Sequence, residues 1–232
     1  MSYPGKLIAI EGIDGSGKQT QVKLLARELE SRGYQVLATG FPQYDSWFGK
    51  MVGQFLNGDF GPLDSVNPHF TALLYAGDRF ECKQPIIAAL ESGEIVLADR
   101  YVGSNLAHQT ARSAPEKRAA FRMWIEHLEY NIYGLPKEDL VLYLRVPPRE
   151  SQNLVAKKTA RAYTDAAHDI LESNFRHLQD AADMYDLLSS GSNWKTIECF
   201  DVATQAIRAP EAIGTEVLAA VLPCLPTHKE SA

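Results

Sequence analysis

Cysteine is scarce in this chain: Cys82, Cys199 and Cys224 are the only three in 232 residues, and their spacing is not paired. A disulfide framework is therefore not expected, and reduced thiols in a cytoplasmic compartment are. Long apolar runs are missing as well. No stretch approaches the roughly 20 residues that a membrane span needs. Met1 to Lys6 runs straight into the first apolar segment without the core of a signal peptide. Positive charge is in deficit, with a net charge of -6, which argues against non-specific binding to nucleic acid or to anionic membranes. Repeats, linkers and low-complexity tracts are absent too. The expectation is one soluble domain over 1–232, large enough to bury a sizeable core.

What the chain does contain begins at Leu7. Leu7-Ile8-Ala9-Ile10 is apolar at every position, as a strand buried on both faces requires. It empties into Glu11-Gly12-Ile13-Asp14-Gly15-Ser16-Gly17-Lys18, in which Gly12, Gly17 and Lys18 have the spacing G-x-x-x-x-G-K of a phosphate-binding P-loop. Glycines let backbone N–H groups converge on a polyphosphate, and the following helix adds its partial positive charge. One position departs. Gln19 stands where Ser or Thr would offer a hydroxyl to Mg²⁺, with Thr20 next.

Val22, Leu25, Ala26 and Leu29 form the apolar stripe of the first helix, which Gly33 stops. Further strands are expected at Val36–Ala38, Glu94–Asp99, Leu140–Leu144 and Trp194–Phe200. Between them the pattern predicts one short helix within 45–66 and a helix started by Asn67-Pro68 that bends or restarts at Pro85. A long helix is expected over Ser113–Tyr133, another over Asp165–Leu188 and a last one from Pro210, with a flexible tail over about 223–232. This alternation predicts an α/β fold: a doubly wound, five-stranded parallel sheet with helices on both faces, of the P-loop NTP-hydrolase type. Ligands in such folds bind outside the carboxyl ends of the strands.

Phe41-Pro42-Gln43-Tyr44 after strand two, and Asp99-Arg100-Tyr101-Val102-Gly103-Ser104-Asn105 after strand three, open on the same edge as the P-loop. With Asp78-Arg79 and Gly134-Leu135-Pro136-Lys137, this ordered set resembles the thymidylate (dTMP) kinase family of nucleoside monophosphate kinases. The resemblance is strong over the first two thirds of the chain. It implies transfer of a phosphoryl group from ATP to dTMP, giving dTDP and ADP, with Mg²⁺ and in a homodimer. It implies ATP along Gly12, Ile13, Asp14, Gly15, Ser16, Gly17, Lys18, Gln19 and Thr20, with Lys18 on the β/γ-phosphates. Arg100 would take the acceptor phosphate, where a guanidinium fork outperforms lysine. Tyr75, by helical spacing alone a core aromatic, would stack on thymine, with Phe41 nearby and Arg79 on the base edge or phosphate. Asn105, beside Ser104, resembles the amide that pairs with the pyrimidine N3 edge. Tyr44 and Asp14 would lie near the sugar 3′-hydroxyl, and His108 at the sugar edge, where relatives often carry Tyr or Phe. Asp14 and Asp99, with Glu172 from the lid side, are the metal candidates. A lid over about 149–165 carries Lys157, Lys158 and Arg161, of which Arg161 is the expected catalytic cation.

The chemistry fits an absence. No clear general base for a hydroxyl acceptor is visible, and a monophosphate needs none, since its second pKa is about 6. Two other functions stay open at this point. A deoxynucleoside kinase acting on a sugar 5′-hydroxyl would need a carboxylate base, and Glu11 is the nearby option. A non-catalytic P-loop nucleotide switch is the other; no Asn-Lys-x-Asp guanine-reading motif follows a late strand.

Overall fold

The computed structural model describes residues 3–155, 171 and 174–226. Five parallel strands form its sheet: β1 (Lys6–Glu11), β2 (Val36–Gly40), β3 (Ile95–Asp99), β4 (Leu140–Arg145) and β5 (Trp194–Glu198), in the order β2-β3-β1-β4-β5. The first strand therefore lies in the middle. Chain connections leave it toward β2 on one side and return past it from β3 to β4, which creates a switch point above its carboxyl end.

The strand residues divide by parity. Ile8, Ile10, Ile95, Leu97, Leu140 and Leu142 face a layer built from α1 (Lys18–Ser31) and α9 (Pro210–Val221). Leu7, Ala9, Val96, Ala98, Val141 and Tyr143 face the other layer. That layer comprises α4 (Lys83–Glu91), α5 (Val102–Ala111), α6 (Arg118–Glu126) and α8 (Phe175–Leu188). Burial on both faces explains why the strands read as continuous apolar runs. A satellite cluster around Val52, Phe55 and Leu74 joins α2 (Trp47–Leu56) to α3 (Pro68–Glu81). Gly77 lets the two approach, since a Cβ there would sit 2.5 Å from the Phe48 ring.

The five-stranded parallel sheet and its two helical layers are as expected; several element boundaries differ. Asn67 caps α3 as read, its side chain accepting from the His69 N–H, but the break falls at Cys82, ahead of Pro85. The single helix expected over Ser113–Tyr133 is instead a 3₁₀ turn, α6, and a π-helical turn over His127–Ile132. The helix expected from Asp165 is described from Phe175, where the Asn174 side chain caps α8. Strand β5 ends at Glu198, and Phe200–Asp201 (β6) pairs antiparallel with Ala206–Ile207 (β7) in a small ribbon. Leu222–Cys224 closes α9 with a 3₁₀ turn, and Leu225 packs on the α1/α9 layer, so the tail is anchored further than expected. α7 (Pro148–Val155) begins the segment assigned to the lid. No described helix is long and apolar enough to cross a membrane.

Candidate active site

The loop after β1 turns on three left-handed glycines, Gly12 (φ 143°), Gly15 (φ 82°) and Gly17 (φ 89°). Two are also needed for space. A Cβ on Gly12 would meet the Leu144 carbonyl at 2.7 Å, and one on Gly15 the Ser151 carbonyl at 2.6 Å. Ser151, buried on α7, donates its hydroxyl to the Asp14 carbonyl and ties α7 to the loop. Lys18 opens α1 and curls back, its Nζ donating to the carbonyls of Gly12 (3.0 Å) and Ile13 (2.9 Å). Burial and the neighbouring Arg100 pull its pKa down to about 8, against the opposing pull of Asp14, Asp99 and Glu11. Gln19 and Thr20 face outward, both exposed.

Arg100 follows β3 with φ 68°, a left-handed conformation rare for a non-glycine residue. This aims the guanidinium back at the loop. It forms an ion pair with Asp14 and donates to the Gly12 carbonyl (3.2 Å) and the Ser104 hydroxyl (3.1 Å). Burial opposes its charge, but Asp14, Tyr185, Asp99 and Glu11 outweigh that and hold its pKa above the usual value.

Beside the loop lies a cavity, partly open to solvent, with Asp14, Phe41, Tyr44, Tyr75, Arg79 and Arg100 in its wall. Ser104, Asn105 and His108 from α5 complete the same wall. Every acceptor-side residue expected from the sequence thus meets at one cavity, and Pro42, Leu56, Gln109 and Leu171 line it as well. Asp78 sets its rim: its carboxylate accepts from the Gln43 N–H and the Ser46 hydroxyl, holding the turn that carries the cis Phe41-Pro42 bond. Two side chains are more committed than expected. Ser104 donates to Glu11 (2.6 Å) while accepting from Arg100. Arg79 is buried, with Nε and Nη2 on Glu129. His108 lies 3.3 Å from His177 on α8, and its Nε2 has no partner among the described residues. Burial pushes both imidazoles down, His177 to about 4 and His108 well below its usual value, so both are neutral near pH 7.

Glu11 has a different job from the one a hydroxyl kinase needs. It is fully buried, and both oxygens are engaged by Tyr101 N–H (2.7 Å), Ser104 N–H (3.0 Å), the Ser104 hydroxyl and the Tyr185 hydroxyl (2.9 Å). It caps α5 from the sheet and has no place in the cavity wall, so it is not poised as a base. Asp99 stands at the end of β3, half-buried, and its carbonyl accepts from the Phe41 N–H (3.0 Å). Among the described residues no cluster of three His, Cys, Asp or Glu could hold a metal alone. Lys157, Lys158, Arg161 and Glu172 lie outside the described residues. Glu129, which orders the cavity from behind, was not singled out in the sequence; Asp78 entered only as half of the Asp78-Arg79 pair, with no role given to it.

A glycine loop at the switch point, beside a cavity whose wall holds Asp14 and Arg100, is the arrangement of a P-loop phosphotransferase. Residues 10–199 match the thymidylate kinase family model. The chain is 34% identical over 183 residues to a probable thymidylate kinase of Thermococcus kodakarensis, covering 77% of this chain and 84% of that one. It is 32% identical over 211 residues to the thymidylate kinase of Bifidobacterium longum subsp. infantis, covering 86% and 87%. The solved thymidylate kinase of Candida albicans shares the fold at a TM-score of 0.72 and 20% identity, over 95% of this chain and 92% of that one. The chain belongs to the thymidylate kinase family, the nucleoside monophosphate kinases that phosphorylate dTMP with ATP.

Proposed function

We propose that Gly12–Lys18 holds ATP, with Gln19 and Thr20 behind it, and that the adjoining cavity holds dTMP for direct transfer of the γ-phosphoryl group. The observation that carries this assignment is the shared wall: Asp14 belongs to the loop and lines the cavity, and Arg100 touches the loop from the cavity side. Donor and acceptor bound there would meet at Arg100. No base is required, because the acceptor oxygen is already ionised near neutral pH. Catalysis then reduces to aligning two mutually repelling phosphates and neutralising their charge.

Within this scheme Lys18 binds the outer phosphates of ATP. Arg100 exchanges the Asp14 carboxylate for the acceptor phosphate, to which a guanidinium fork is well matched. That exchange frees Asp14, which with Asp99 would hold Mg²⁺ alongside phosphate oxygens and water. A site without a complete protein cage suits an ion that retains several waters. When bound, the ion supplies further neutralisation of phosphate charge. Tyr75 and Phe41 offer rings to the base, Tyr44 and His108 face the sugar, and Arg79, Ser104 and Asn105 complete the acceptor pocket. Exposed Phe70, Leu73 and Phe80 on α3 support a homodimer.

A coupled ADP-release assay with dTMP, thymidine, dUMP and UMP tests the assignment. Turnover with dTMP and none with thymidine is expected. Phosphorylation of thymidine in place of dTMP would overturn it, as would ATP binding with no acceptor-dependent turnover.

A further inference from the structure

Glu129 lies beneath the cavity wall, fully buried, in the π-helical turn that follows α6. π-Helical turns inside helices often mark functional positions, and this one brings a carboxylate against two cavity residues at once. Oε2 accepts from Arg79 Nε (2.7 Å), and Oε1 accepts from Arg79 Nη2 (2.5 Å) and from Asn105 Nδ2 (2.7 Å). The other Nδ2 hydrogen of Asn105 goes to the Ala72 carbonyl at 3.1 Å.

A carboxamide has two donors on nitrogen and acceptor capacity on oxygen. In Asn105 both donors are consumed, and turning the amide over would set Oδ1 against a carboxylate and a carbonyl. Its orientation is therefore dictated from behind. What remains is Oδ1, buried and without a partner among the described residues, on a residue that is 2% exposed and lines the cavity. A buried acceptor left unpaired is costly, so the site favours a ligand that brings an N–H to it. A pyrimidine joined to its sugar through N1 has one ring position where this choice is made. Thymine carries N3–H; cytosine carries a lone pair at N3.

We propose that Glu129 is a positioning residue for base selection: it fixes the Asn105 amide with Oδ1 presented to the base, so that a pyrimidine with N3–H is accepted and one with an N3 lone pair is refused. The proposal rests on the cavity being the dTMP site. Arg79 contributes by holding both Glu129 oxygens from one side, which leaves the carboxylate fixed against Asn105.

The test compares kcat/KM for dTMP and dCMP in the wild type, E129Q, N105A and the double variant. A glutamine at 129 can turn its own N–H toward Asn105 and release the amide. The dTMP-to-dCMP ratio should then fall at least tenfold in E129Q, mainly through KM, as expected where a site built to hydrogen-bond its substrate loses that match. In the N105A background the same change should move the ratio less than twofold. A purely structural ion pair would lower both substrates together, so any smaller change in ratio in E129Q overturns the proposal. If the wild type does not phosphorylate dTMP at all, the acceptor assignment itself fails; an active wild type with an unchanged E129Q ratio sinks only the role of Glu129. Should E129Q not fold, the wild type decides by NMR. Both Asn105 Nδ2 protons should be protected from exchange with and without dTMP, and fast exchange of either, or its contact with the bound base, would overturn the proposal.

Discussion

Lys18 is held by the carbonyls of its own loop, buried among Arg100, Asp14, Asp99 and Glu11, and its pKa of about 8 reflects that confinement. A polyphosphate bound to the loop would add negative charge and favour the ammonium form. At pH 8.5 the free protein has much of its Lys18 deprotonated, so ATP binding should take up roughly 0.7 proton, falling toward zero by pH 7. Calorimetry in buffers of different ionisation enthalpy measures this; uptake that does not rise between pH 7 and 8.5 would sink the idea. At this scale the glycine loop was legible, because the spacing of Gly12, Gly17 and Lys18 marks a turn that needs left-handed backbone. Glu129 was not. A glutamate in a helix rich in charge reads as a solvated face, and only the fold shows that its neighbours are Arg79 and Asn105.

α5 is the element on which the cavity depends, since Ser104, Asn105, His108 and Gln109 all line its wall. Its N-terminus is satisfied by Glu11 from β1, which accepts from two of its backbone N–H groups. Replacing Glu11 by alanine leaves those groups and Tyr185 without their acceptor in a dry place, a loss expected to cost about 3 kcal/mol. Urea denaturation measures it, with hydrogen exchange accelerating across α5 amides; a loss below about 0.5 kcal/mol would refute the capping role. α1 and α3 were readable because each has one buried face and a clear end signal, Gly33 after the first and Asn67 before the other. α5 was not read as a helix at all. Val102 to Ala111 is short, and its start has no capping side chain of its own; the cap is Glu11 from β1, far away in sequence, so no local start signal marks the helix. The stretch Ser113–Tyr133 misled for a different reason: its apolar period continues past Glu126, while the backbone widens there into the π-helical turn.

At the scale of the whole molecule, several large apolar side chains stand exposed among the described residues, three of them on α3. Phe70 and Leu73 stand exposed one turn apart on α3, and Phe80 follows at the end of the same helix. Exposed apolar patches of this kind mark association surfaces. Sedimentation at micromolar concentration should give twice the chain mass, shifting toward the monomer in Phe70→Asp; a wild-type monomer would refute the dimer. Sheet order has a consequence for how the molecule is made. β1 pairs with β3 and β4, so the strand that leaves the ribosome first cannot acquire both neighbours until Arg145 has emerged. Glu11 waits longer still, for the Tyr185 hydroxyl on α8. During synthesis the glycine loop thus emerges well before the segments that lock it, and β1 with Glu11 gains its last partners only once α8 is outside the tunnel.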